Sequence, residues 1–273
     1  MKTARTYFGF AIIVLWTLAP FYWMVVTAFR DSKHTFDTTP FFTHVTLENF
    51  QDALATDKGN NFLRAIGNSL IISLATTALA VLVGVLAGYA LARLNFRGKG
   101  IVTAIILAAS MFPGIALVTP LFQLFTNLGW IGTYQALIVP NISFALPLTV
   151  YTLISFFKQL PWELEEAARV DGASRFTAFR KVLLPLAAPA LFTTAILSFI
   201  ATWNEFMLAK QLSTTATEPV TVAIARFSGP SAFEYPYASV MAAGTLVTVP
   251  LVVMVLVFQR RIVAGLTAGG VKG

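Results

Sequence analysis

At 273 residues, 57% hydrophobic and only 11% charged, with a mean hydropathy of +0.75, the chain belongs to the membrane class; soluble domains carry about a quarter charged residues. Its net charge of +7 comes without clustered Lys, Arg and aromatics on a soluble face, which argues against a nucleic-acid surface. There is no cysteine, so disulfides and thiol chemistry are excluded.

The first uncharged run, 6–29, is too long for the apolar region of a signal peptide and lacks a small-x-small cleavage site. A retained first span over about 7–29 is expected. The polar segment 30–64 follows, with Phe36, Phe41, Phe42 and Phe50; a short helix or two lying against the outer membrane surface is expected there. His34 and His44 lie ten residues apart with no H-E-x-x-H pattern, so a solvated loop is expected and no metal site.

The second span is expected over about 66–91 and carries Gly84-x-x-x-Gly88, a spacing that permits close helix approach. The uncharged stretch 100–157 is too long for one crossing of roughly 20 residues. It divides at Asn127–Thr133, where Gly129 and Gly132 mark a turn, giving spans over about 101–125 and 134–157. The fifth and sixth spans are expected over about 183–209 and 237–259. In the segment 210–236 between them, Val220 to Ala225 fits helix or strand. Pro20, Pro113, Pro120, Pro140, Pro147 and Pro250 interrupt these runs. Such breakers fit ordinary membrane helices, and equally kinked helices lining a watery route that satisfies the freed backbone groups. The whole, 1–273, reads as one transmembrane domain: all-α, six transmembrane helices.

Thirteen of the nineteen Lys and Arg fall on the side holding both termini, 92–100 and the loop 158–182. The positive-inside rule therefore places that side in the cytoplasm. Within the spans, Glu205 in Trp203-Asn204-Glu205-Phe206 is the one carboxylate inside an apolar run. At the bilayer centre such a group costs about 2.5–3.5 kcal/mol. Either it reaches interfacial water or, with Trp203, Asn204 and Asn141, it lines a route for solute.

The loop 158–182 is the densest charged passage between apolar runs. Pro161 and the carboxylates Glu163, Glu165 and Glu166 suit the start of a helix. Leu160, Leu164, Ala167 and Ala168 share a face, and Glu165 and Arg169 are spaced to pair. Asp171-Gly172 ends this helix, because glycine accepts the left-handed conformation of a helix stop. Ser174 is placed to cap a second helix with Phe176, Phe179, Val182 and Leu183 as its apolar stripe. Anionic headgroups would repel the carboxylates of this elbow; a protein cleft with basic donors would accept them.

Glu166-Ala167-Ala168, Asp171-Gly172-Ala173 and Val182-x-Leu184-Pro185 together resemble the EAA loop of permease subunits in binding-protein-dependent ABC importers. The likeness extends to Trp203-Asn204-Glu205 and to the end Gln259-Arg260-Arg261-Ile262-Val263-Ala264-Gly265-Leu266. It is similar to the carbohydrate branch, on the MalG-like side, and in wording to trehalose permeases of the SugB type. Val182, where Ile is usual, and Gly270, where Ala is common, are small departures.

The resemblance implies a type I ABC importer permease fold with cytoplasmic coupling helices, in a bacterial cytoplasmic membrane. It implies that Glu165, Glu166, Ala167, Ala168, Asp171, Gly172 and Ala173 couple to an ATP-binding subunit, and that Gly265, Lys272 and Gly273 of the tail also contact it. The implied partners are two copies of that subunit, a second and different permease chain, an external solute-binding lipoprotein, and the sugar itself. The expected cargo is a disaccharide such as trehalose or maltose; an oligosaccharide or a glycerol-phosphate type of solute is the alternative. The chain lacks a G-x-x-x-x-G-K-[ST] phosphate loop, so ATP and Mg are expected on the partner and no cofactor or catalysis on this chain. A membrane enzyme lacks a catalytic constellation here, and an ion-coupled carrier lacks intramembrane charge.

Overall fold

The computed structural model describes residues 2–55, 61–227 and 235–268. Among them there is no strand, only an isolated bridge between Arg30 and Val45. The chain divides into two compact units: residues 1–66 with 222–252, and residues 67–221 with 253–273.

In the first unit, α1 (Lys2–Ala28) presents large apolar side chains outward, Trp16 at 83% exposure, as a helix immersed in lipid must. The polar segment folds back on the end of α1. Arg30, 1% exposed, donates to the backbone carbonyls of Asp37 and Thr39, and its guanidinium lies 5.1 Å from the Trp23 ring. The Asn49 amide, on the short α2 (Glu48–Leu54), donates to the carbonyls of Ala28 and Arg30. A helix end that would be left with orphan carbonyls is thereby satisfied.

The second unit is built on α3 (Phe62–Arg93) from Gly67 onward. α4 (Lys99–Ser110) follows, and then, after a 3₁₀ turn at Gly114–Leu117, α5 (Val118–Asn127). The expected span 101–125 is a pair of helices bent by 90°. Pro113 has no N–H to continue α4, and Pro113-Gly114 opens the second arm. Gly129 and Gly132, with φ of 69° and 78°, then make the expected turn into α6 (Tyr134–Gln159).

Gly84 and Gly88 let α3 lie against α6 without side chains between. A Cβ at Gly84 would stand 2.4 Å from Thr149 Cγ2, and one at Gly88 2.8 Å from Leu153 Cβ.

The elbow comprises α7 (Glu163–Val170) and α8 (Arg175–Ala178), which runs on through a π-helical turn, Phe179–Leu183, into α9 (Leu184–Leu186). The π turn has a local reason: Pro185 cannot donate to Lys181, and its ring would crowd that carbonyl. α10 (Ala188–Trp203) departs at 71° after Ala187. It ends at Trp203, and α11 (Met207–Leu212) restarts after it, so the expected single span 183–209 is broken twice. α12 (Val220–Ile224) settles the helix-or-strand choice as helix, and α13 (Tyr237–Ala268) is the last described element. Among the described residues, four helices are long and apolar enough to cross a membrane, six if each bent pair counts as one.

Candidate functional site

The elbow is held from beneath by an apolar core in which Tyr89, Leu153, Phe157, Phe179 and Leu183 are buried, with Leu160 and Leu164 packed against them. α7 begins at Glu163, leaving Pro161 ahead of it. Glu166, Ala167, Asp171 and Gly172 face outward, and Ala168 and Ala173 are half-buried. The helix stop is a complete Schellman motif: Gly172 N–H donates to the Arg169 carbonyl at 3.1 Å and Ala173 N–H to the Ala168 carbonyl at 2.9 Å. Gly172 takes the left-handed φ of 86° that this requires. Ser174 Oγ accepts from Thr177 N–H and caps α8 as expected.

Two expectations for the elbow change. Glu165 does not pair with Arg169. It is 6% exposed and turned inward, and the Tyr89 hydroxyl donates to its Oε1 at 3.1 Å. A carboxylate on α7 has two neighbouring faces open to it, and the inward one supplies a donor. Phe176 is 65% exposed rather than part of the buried stripe, while Phe179 and Leu183 are buried. With Val170 and Trp162 also exposed, the outer surface of the elbow is apolar around its carboxylates. That composition suits a protein cleft better than water.

Between α6 and α10 lies a cavity of about 300 Å³. Asn141, Thr149, Ser198, Thr202 and Glu205 give it a polar side, and Phe144 belongs to its apolar wall. The volume is at the lower end of small-molecule sites. Glu205 is held firmly. Its two carboxylate oxygens accept Leu208 N–H at 2.8 Å and Ala209 N–H at 2.9 Å, capping α11, and its carbonyl accepts the Thr221 hydroxyl. Negative charge at a helix N-terminus is favoured, which explains how a carboxylate is tolerated at this depth of the chain.

Of the four candidate pathway residues, the structure brings Asn141 and Glu205 to one cavity. Trp203 and Asn204 are not in it. Trp203 is 1% exposed and stacks on Phe199 with centroids 5.5 Å apart, and Asn204 points outward and donates to the Ile200 carbonyl. Trp203 closes α10, whereas Asn204 and Glu205 lie in the turn before α11, so the three neighbours do not share one wall.

Asp31, His34 and His44 come together in the polar segment, with potential ligand atoms within 4.8 Å of one another. The two imidazoles stack face to face, 3.7 Å apart and 5° from parallel. A metal lies in the plane of each imidazole that binds it, and stacked planes share no such point. Asp31 Oδ1 is already engaged by His34 Nδ1 at 2.7 Å and by the His34 and Lys33 amides. The hydrogen bond from His34 lowers the Asp31 pKa. Gly265 lies within α13; Lys272 and Gly273 lie outside the described residues.

Sequence reasoning missed Tyr89 and Arg93, which reach the elbow from the last turn of α3. Their i,i+4 spacing at the end of an apolar run was the available signal, and nothing in it pointed to a partner some seventy residues on.

A membrane protein that is all-helical among the described residues, with broken third and fifth crossings and a capped elbow, is the class that this geometry defines. The profile of the family described as binding-protein-dependent transport system inner membrane component matches residues 80–267, and the chain belongs to that family. Such subunits are non-catalytic membrane components of ABC importers, whose ATPase is a separate subunit.

The chain is 46% identical over 263 residues to the trehalose transport system permease protein SugB of Mycobacterium tuberculosis (strain CDC 1551 / Oshkosh), covering 96% of this chain and 95% of that one. It is 43% identical over 275 residues to the trehalose/maltose transport system permease protein MalG of Thermococcus litoralis (strain ATCC 51850 / DSM 5473 / JCM 8560 / NS-C), covering 100% and 98%. In fold it is similar to a chain of a bacterial ABC transporter involved in the import of the acidic polysaccharide alginate, with a TM-score of 0.79, 20% identity and 95% coverage of each chain.

Proposed function

We propose that this chain is one membrane half of an ATP-driven sugar importer and moves a disaccharide of the trehalose or maltose type inward by alternating access. The observation that carries this reading is near-full-length identity of 46% and 43% to permeases of trehalose and of trehalose and maltose. The neutral polar groups of the cavity suit hydroxyl-bearing cargo. A second, different permease chain completes the pathway, an external binding protein delivers the sugar, and two ATP-binding subunits supply the work. Both termini and the elbow lie in the cytoplasm, in keeping with thirteen of nineteen basic residues on that side.

Glu166, Ala167, Asp171 and Gly172 form the outer docking face, with Ala168 and Ala173 beneath it. ATP-driven closure moves the elbow as a rigid body.

The test is ATP hydrolysis by the complete importer in proteoliposomes, with binding protein loaded with trehalose, maltose or sucrose. Trehalose or maltose should raise turnover. Stimulation by an unrelated solute alone would remove the substrate reading, and wild-type hydrolysis by Glu166→Ala would remove the docking face. Asn141→Ala with unchanged uptake kinetics would count against the cavity as the route.

A further inference from the structure

Three carboxylates of the elbow, Glu163, Glu166 and Asp171, face outward, but Glu165 is buried and faces the end of α3. There Tyr89 donates to it across 76 residues of chain. One turn further along α3, Arg93 is 4% exposed. Its Nη2 donates to the Leu160 carbonyl, and its guanidinium lies 4.4 Å from the centre of the Trp162 ring. The last turn of α3 therefore grips the elbow at three points, Leu160, Trp162 and Glu165, just before and within the first turn of α7. Tyr89 is itself fixed, its ring 4.5 Å from Phe179 at the head of the π turn.

Packing alone does not call for charge here. A buried carboxylate and guanidinium are costly unless fully paired, and apolar side chains of the same volume are often as stable or more so. Yet Glu165 Oε2 and Arg93 Nε and Nη1 are buried with no hydrogen-bond partner among the described residues. A half-satisfied polar set is a poor anchor for a static structure and a suitable one for a contact that changes partners as helices move.

We propose that Glu165, Tyr89 and Arg93 form the joint that carries displacement of the coupling helix to the second span, with Glu165 a positioning residue turned toward the membrane and not a contact to the ATPase. This rests on the importer reading above. Pushing α7 drags Glu165 against the Tyr89 hydroxyl and the Leu160 carbonyl against Arg93, so α3 follows the elbow. Without the joint, the elbow still docks, and ATP is hydrolysed with less sugar moved.

The experiment uses the complete importer in proteoliposomes and reads ATP hydrolysed per trehalose transported, together with retention of the ATPase subunit on purification. In Glu165→Leu the ATPase subunit should be retained while ATP consumed per sugar rises at least threefold. In Glu165→Gln, whose carbonyl still accepts from Tyr89, the ratio should return to within about twofold of wild type. Tyr89→Phe removes one hydroxyl and keeps the ring on Phe179, so it serves where Glu165→Leu fails to assemble; its ratio should also rise. A wild-type ratio in Tyr89→Phe overturns the joint. Loss of the ATPase subunit from Glu165→Leu but not from Glu166→Ala also overturns it, by making Glu165 a docking contact. A wild-type assembly whose hydrolysis is stimulated by none of the sugar-loaded binding proteins would instead remove the importer reading, and the joint with it.

Discussion

Gly172 offers the cleanest separation of backbone from surface effects in the elbow. Its φ of 86° lies in the left-handed region, and both hydrogen bonds of the Schellman stop depend on that conformation. A Cβ added there would meet nothing within 4 Å, so substitution carries no steric term inside the chain. What remains is the conformational cost of a left-handed L-residue, about 1–2 kcal/mol for alanine. That lowers the ratio of capped to uncapped elbow by about 5- to 30-fold. Asparagine adopts this region more readily than other residues and should cost less, and a β-branched valine more.

The expected order of substrate-stimulated ATP turnover is therefore wild type, then Gly172→Asn, then Gly172→Ala, then Gly172→Val. Asparagine is larger than alanine, so crowding against a docked partner would reverse the middle pair. Turnover by the complete importer measures the order, and hydrogen exchange at the Gly172 and Ala173 amides reports the cap directly. Lower turnover in Gly172→Asn than in Gly172→Ala, or unchanged amide protection in Gly172→Val, would refute the reasoning.

At Gly88, alanine would place carbon 2.8 Å from Leu153 Cβ, against an optimum of about 3.5–4.0 Å, and a main-chain-proximal atom cannot swing aside. Overpacking of about 1–3 kcal/mol should exceed the roughly 1 kcal/mol gained in helix propensity, so Gly88→Ala should lower the detergent-solubilised Tm; a raised Tm would count against the close approach. Glu205→Ala should remove the α11 cap at about 0.5–2 kcal/mol and speed exchange at the Leu208 and Ala209 amides, whereas Glu205→Gln keeps one acceptor and should lie between. Unchanged exchange in Glu205→Ala would refute the cap. The Asp31 pKa is lowered by His34, so the stabilisation from this contact is present above the ordinary 3.8 and is lost as pH falls through the lowered value. The carbon-13 shift of the Asp31 carboxyl should titrate below 3.8 and move back toward it in His34→Ala; the same midpoint in both would dismiss the contact.

The apolar runs made the helices of this chain legible, because each records a local property, length times hydropathy. The Asp171-Gly172 stop and the Ser174 cap were legible for the same reason, since each is closed by backbone groups within a few residues. Pro113 signalled a break, but the 90° bend depends on how the arm after it packs. The pairing of Glu165 with Arg169 satisfied the helical spacing as well as the inward alternative did. What decided it was Tyr89, far away in sequence. Asn141 and Glu205 likewise meet only because α6 packs along α10, while Trp203 and Asn204, adjacent to Glu205, turn elsewhere.

The same non-local packing gives the elbow a physical route to the cavity. Asn141, Phe144 and Thr149 of α6 line the cavity, and Leu153 and Phe157 of the same helix are buried in the elbow core with Tyr89, Phe179 and Leu183. At 1.5 Å per residue, the sixteen steps from Asn141 to Phe157 span about 24 Å of continuous helix. Neither Pro140 nor Pro147 interrupts it. A packed interior is stiff, so displacement at Phe157 reaches Asn141 as movement of a rod and not as local repacking. Gly84 and Gly88 fit α3 to the same rod, so the helix carrying Tyr89 and the helix lining the cavity move together. In this arrangement the coupling proposed above needs no dedicated chain of residues through the membrane, because one helix takes part in both the elbow core and the wall of the cavity.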